Sequence, residues 1–202
     1  MSVTAQQFAQ MQSRLAGSKR VSARFPVSGI GQFTRTHQVI LGVDPSLRAT
    51  GYGVIRLAKP FPQTLTHGTV RCPVKWEHSR CLVKIAEVLR EVIRHHQPTV
   101  CVIEGIFYAQ NLQTALVMGQ ARGASLVAVA EAELEIYELA PRKVKQAIVG
   151  YGAAQKFAVA KMVQRLLHLA EVPAPDAADA LALALTHAHE NGRYVLNPPK
   201  RV

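Results

Sequence analysis

Aspartate is scarce in this chain of 202 residues, occurring only as Asp44, Asp176 and Asp179. Soluble proteins ordinarily scatter Asp over loops and surfaces, so three isolated positions carry information that a dozen would not. Cysteine is equally thin. Cys72, Cys81 and Cys101 are odd in number and show no C-x-x-C spacing, which argues against a disulfide framework or a thiolate zinc site and suits reduced core thiols. No apolar run approaches the ~20 residues that span a bilayer. The segment Met1 to Gln12 is polar and mixed, without the basic-then-apolar order of a signal peptide. The expectation is a cytoplasmic protein with no membrane partner. Acids as a class are also few: 13 Asp and Glu face 24 Lys and Arg, a net charge of +11. Such an excess favours a polyanionic partner, because each neutralised phosphate releases condensed counterions. The bland alternative is a merely basic surface.

What is present supports a core, since 49% of residues are hydrophobic. Residues 1–37 carry Arg14, Lys19, Arg20, Arg24 and Arg35 and no acid, without sustained periodicity; they read as a mobile basic arm. Residues 191–202, ending in Pro-Pro and basic residues, read as an unstructured basic tail. Between them, residues 38–190 form one domain. Gln38 to Asp44, Gly51 to Leu57 and Thr64 to Cys72 read as three strands in close succession, hence antiparallel neighbours. Glu77 to His95 is an amphipathic helix closed by Pro98, with Leu82, Ile85, Leu89, Val92 and Ile93 at helical spacing. Thr99 to Glu104 is a wholly apolar strand before its acid. A helical stretch from Asn111 to Ala132 follows, then Leu134 to Leu139 as a fifth strand. Three helices finish the domain, starting near Pro141, Ala153 and Asp176. This order describes an α/β protein with a mixed five-stranded sheet flanked by helices, and it fits the ribonuclease H-like fold.

The acids sit where chemistry could use them. Asp44 closes the run VILGVD and Glu104 closes TVCVIE, so each carboxylate stands at the C-terminal end of a buried strand. In open α/β sheets ligands bind beyond those ends. If the strands are neighbours, the two charges repel unless a cation intervenes. Asp176 and Asp179, at i and i+3 in PDAADALALAL, share one face of a helix that is otherwise Ala and Leu and therefore buried. Taken alone, Asp176 is equally an N-cap and Asp179 a favourable charge in the first turn. Together the four make an all-oxygen donor set suited to hard cations such as Mg²⁺ or Mn²⁺. His187 and His189, two apart, point to different faces and read as capping or surface residues.

The segments VILGVDPSLRATGYGVI, VIEGIFYAQNLQTALVMGQARG, APRKVKQAIVGYGAAQK and PDAADALALALTHAH resemble, in order and spacing, the four blocks of the RuvC family of bacterial Holliday-junction resolvases, from about Val39 to His189. The resemblance implies a homodimer that nicks two strands symmetrically across four-way junction DNA in recombination and repair. It implies working partners, the RuvA and RuvB branch-migration proteins. It carries the metal-binding, catalytic acids onto Asp44, Glu104, Asp176 and Asp179, with two Mg²⁺ per site and Mn²⁺ as a substitute. Lys145 and Lys156 match basic residues near the scissile phosphates. Phe107 matches an aromatic that stacks on junction bases; core packing is its alternative. One departure is Asp44-Pro45-Ser46 where the family commonly reads D-P-G, which costs strain if that turn needs a positive φ. The basic arm is another. Small residues Gly119, Gly123, Ala124 and Ser125 mark a face of the helix after Glu104 for a twin helix or for its own sheet. Two rivals stay open, an RNA-cutting enzyme of the same fold and a non-catalytic junction binder.

Overall fold

The computed structural model describes residues 37–105, 112–190 and 200–202. Six strands form one sheet: β1 (Val39–Asp44), β2 (Ala49–Arg56), β3 (Gln63–Arg71), β4 (Val100–Glu104), β5 (Glu135–Leu139) and β6 (Lys200–Arg201). Their spatial order is β3-β2-β1-β4-β5-β6. The first three strands form an antiparallel meander. The sheet then turns parallel, β4 lying beside β1 and β5 beside β4. The helices are α1 (His78–His96), α2 (Leu112–Ala130), α3 (Pro141–Val149), α4 (Lys156–Leu166) and α5 (Pro175–Glu190). None of the helices among the described residues is long and apolar enough to cross a membrane.

The apolar runs at β1 and β4 are explained by burial on both faces. Leu41, Val43, Cys101 and Ile103 point into a core closed by α1 and α2, with Ile85, Leu89 and Val129. Ile40, Val100 and Val102 point to the opposite face, into a core made with α3, α4 and α5. A strand buried on both sides has no polar phase, so its sequence reads as continuous rather than alternating. Parity decides the fate of the terminal acids. Asp44 is in phase with Ile40, and Glu104 with Val100 and Val102, so both acids fall on the side that carries α5.

Helix α5 is buried nearly all round from Ala177 to His187, and glycines let it come close. A side chain at Gly42 or Gly51 would collide with the α5 backbone at Ala180 or Asp176, and one at Gly53 with Leu181. With no Cβ at these three places, the helix axis approaches β1 and β2 more closely than any other residue allows.

Four features differ from the sequence expectation. The sheet has a sixth strand, because Lys200 and Arg201 of the tail pair with Glu138 and Tyr137; two residues after a Pro-Pro carry too little pattern to announce a strand. His37, placed at the end of the arm, is buried at 7% exposure. Its ring lies against His187, Nδ1 to Nε2 at 2.9 Å. His187 is therefore a core residue and not a cap or surface group, stacked between His37 and Tyr137. Finally, Ser46 is not among the residues with positive φ. Its turn is closed by a reciprocal pair with Thr50, whose hydroxyl donates to the Ser46 carbonyl (2.6 Å) and accepts from the Ser46 amide (3.2 Å). The missing family glycine costs this chain no backbone strain there.

Candidate active site

A cavity of about 380 Å³ opens at the C-terminal ends of β1 and β4. Asp44, Glu104, Asp176 and Asp179 all line it, together with Lys145, Lys156, Ser46 and Met118. The acids and lysines come from five elements. The parallel register pairs Val43 with Ile103, so one step on Asp44 and Glu104 stand side by side. Asp44 also pairs with Gly51 of β2, the glycine on which the first turn of α5 rests. That contact delivers Asp176, and one turn later Asp179, to the strand-end acids.

The electrostatics are those of a site waiting for positive charge. Burial, then the charge of Asp179, pushes the Asp44 carboxyl well above the usual range. Burial, then the charge of Asp44, pushes Glu104 further still. The two carboxyls crowd each other, and a proton held by the pair is the cheapest way to relieve like charges in a desolvated place. Asp179 is relieved differently, by Lys156 Nζ at 3.0 Å. Lys156 is itself oddly placed. It is the first residue of α4, where the helix dipole disfavours a cation, and the hydrogen bond to Asp179 leads the effects that hold its ammonium firmly protonated.

Asp176 is not a cap, since α5 begins one residue before it, at Pro175. No capping hydrogen bond from either helix acid is found among the described residues. The capping reading that sequence spacing left open for Asp176 does not fit this helix start, and both acids line the cavity. Among the described residues, no three His, Cys, Asp or Glu side chains converge on one point as they stand. The donor set nevertheless fits a hard divalent cation: four carboxylates and no thiol or imidazole, with Asp44 and Glu104 crowded against each other and Asp179 paired to an ammonium.

Lys145, on α3, lines the same cavity. Phe107 lies outside the described residues. On α2 the small residues divide. Ser125 is fully buried, its hydroxyl donating to the Ala121 carbonyl, so it serves the protein's own packing. Gly119 and Gly123 have open space where a side chain would be, on a helix whose Leu112, Leu116 and Val127 are exposed. Sequence reasoning missed Arg122, buried behind Glu104. The available signal was a lone charge in a helix otherwise made of apolar, small and neutral residues.

Comparison with known proteins identifies the family. Residues 40–187 match the profile of the family described as crossover junction endodeoxyribonuclease RuvC. The RuvC of Pasteurella multocida is 48% identical over 151 residues, covering 75% of this chain and 79% of that protein. The RuvC of Haemophilus influenzae is 46% identical over 164 residues, covering 80% and 86%. Among solved structures, T. thermophilus RuvC in complex with Holliday junction substrate superposes with a TM-score of 0.70 at 36% identity, covering 75% of this chain and 93% of that one.

Proposed function

The chain belongs to the RuvC family of crossover junction endodeoxyribonucleases, and on that premise we propose that it resolves four-way junction DNA with Asp44, Glu104, Asp176 and Asp179 as the acids that hold catalytic divalent metal. The reading rests on one observation: four of the chain's 13 acids and two lysines, drawn from five elements, line a single cavity beyond the strand ends. A binder of phosphate has no use for that cluster of negative charge, which disfavours the non-catalytic rival.

Bound divalent cation, Mg²⁺ or Mn²⁺ and two per site, supplies Lewis-acid activation of water and of the leaving 3′ oxygen. The protein's own groups do the rest. Asp44 is central, adjacent to Glu104 by register and to α5 through Gly51, so it is the acid common to both halves of the site. Asp44 and Glu104 would hold the cation at the place where a proton otherwise relieves their charges. Lys156 and Lys145, which line the same cavity, would face the phosphate and offset charge developing on it. Phe107, as in the family, stacks on junction bases. The remaining positive charge of the +11 chain binds backbone phosphates, fixing register rather than sequence.

The enzyme acts as a homodimer, which places two cavities for paired nicks. The exposed outer face of α2, with Leu112, Leu116, Gly119, Gly123 and Val127, is the surface that a twin copy covers. Its working place is the cytoplasm, with RuvA and RuvB as partners. The deciding experiment compares cleavage of an immobile four-way junction and of an RNA–DNA hybrid, each with Mg²⁺ and with EDTA. Symmetric nicks near the crossover, in Mg²⁺ only, are expected. Preferential cutting of the hybrid would transfer the chain to the RNA-cutting rival. A concentration-independent monomer mass in sedimentation would remove the dimer.

A further inference from the structure

Behind the cavity lies a buried ion pair that the chemistry above does not use. Arg122 is 9% exposed on the inner face of α2, the only charged residue in that helix. Its Nη1 donates to the backbone carbonyl of Glu104, and its Nη2 donates to the carboxylate of Glu138 on β5. The chain just past Glu104 is tied to the same strand, since the Gly105 amide donates to the Leu139 carbonyl at 2.9 Å. The Glu138 side chain also occupies the space beside Gly105, 3.1 Å from where a Cβ would stand. The peptide group that follows Glu104 is thus held at both its carbonyl and its amide.

Burying a guanidinium costs free energy that a Leu at the same position would not. Packing alone therefore does not account for an arginine here. What the guanidinium adds is a rigid fork that holds a carbonyl and a carboxylate at once. We infer that Arg122, held by Glu138, is a positioning residue for Glu104, fixing the end of β4 so that the Glu104 carboxylate is presented to Asp44 in one orientation and the site binds divalent cation more tightly. The inference rests on the reading of Glu104 as a metal ligand.

The test is Mn²⁺ binding to the full-length protein without DNA, followed by the electron paramagnetic resonance signal of free Mn²⁺, with junction binding in EDTA measured alongside. Arg122→Lys keeps the charge and loses the fork. It is expected to weaken Mn²⁺ binding about 10–100-fold, the usual size of an outer-shell loss, and to leave junction affinity in EDTA unchanged. In a Glu104→Gln background the same substitution is expected to cost almost nothing further, because the two act through one group. An Arg122→Lys protein that binds Mn²⁺ like wild type, while Glu104→Gln is weakened, overturns the inference and leaves the Glu104 reading standing. An equal loss with and without Glu104 also overturns it, since the effect then does not pass through that acid. If Glu104→Gln alone changes nothing, the ligand reading falls and the positioning role with it. Should Arg122→Lys fail to fold, Glu138→Gln, which keeps shape and removes charge, runs the same cycle with the same outcomes decisive.

Discussion

Gly42→Ala tests whether helix–sheet contact assembles the site. Gly42 sits mid-strand in β1, paired with Gly53 on one side and Val102 on the other. An added Cβ collides with the Ala180 carbonyl and lies 3.1 Å from the Ala184 amide nitrogen. Both obstacles are backbone, so no rotamer change relieves them; α5 itself has to retreat, by on the order of 1 Å, to regain ordinary contact. Overpacking of this kind costs about 1–3 kcal/mol. Taking about 2 kcal/mol, the melting temperature falls by about 4–8 °C in a domain of this size. The larger effect is catalytic. Ala180 follows Asp179 directly, so the displacement arrives at the acid almost undiminished, and misplacement of about 1 Å can cost about 10²-fold in rate. Single-turnover cleavage of a four-way junction in saturating Mg²⁺, melting curves and junction binding in EDTA separate the two effects. The expected result is a cleavage loss far greater than the destabilisation accounts for, with binding retained. Wild-type cleavage and melting in Gly42→Ala would refute the claim that this glycine sets the position of the acids.

Three further outcomes follow from the same geometry. Asp44→Asn is expected to abolish nicking while junction binding holds or tightens, because one repulsive charge leaves the phosphate site; near wild-type Mg²⁺-dependent cleavage would reject Asp44 as a ligand. In metal-free buffer, stability is expected to fall as pH rises. The Asp44–Glu104 pair releases its protons at about 6 and about 8 in the folded chain, above the ordinary carboxylate values, so the folded state binds those protons more tightly than the unfolded one. The stabilisation is complete near pH 4 and is lost as pH climbs through 6 and 8. Glu104→Gln should flatten that decline in urea titrations, and added Mg²⁺ should reverse it in wild type. His187 works in the opposite sense. Burial, then the neighbouring His37, lowers it to about 4, so its contribution is lost as pH falls from about 6.5 toward 4. His187→Gln should make the acid limb of the stability profile shallower; an unchanged limb would show that folding does not lower the proton affinity of this ring.

Much of the site was legible in one dimension. The strand-end positions of Asp44 and Glu104 follow from where two apolar runs stop, and their common face follows from strand parity once the opposite face is known to be filled. The helix predicted over Glu77 to His95 is observed at His78–His96, because its apolar face repeats for five turns and Pro98 ends it. Other features had no local signature. Arg122 is one arginine among 24 basic residues until β4 and β5 come to lie beneath it. His37 belonged to a basic arm by composition and joins the core only because His187 and Glu135 meet it there. The pairing of Lys200–Arg201 needs a free sheet edge at β5, a long-range property that two residues cannot encode.

Alone, the amino-acid order determined every element but the sixth strand, the scarcity of Asp that made three positions conspicuous, and the family blocks, since periodicity and composition are local. Only the tertiary structure decided that Asp176 and Asp179 are cavity acids and not a cap. That outcome depends on strand order, which puts β4 beside β1, and on Gly42, Gly51 and Gly53, which let α5 settle against the sheet. Four carboxylates from three separate segments of the sequence repel one another and would not gather unaided; the burial of the Ala and Leu residues of α5 supplies the free energy that holds them together.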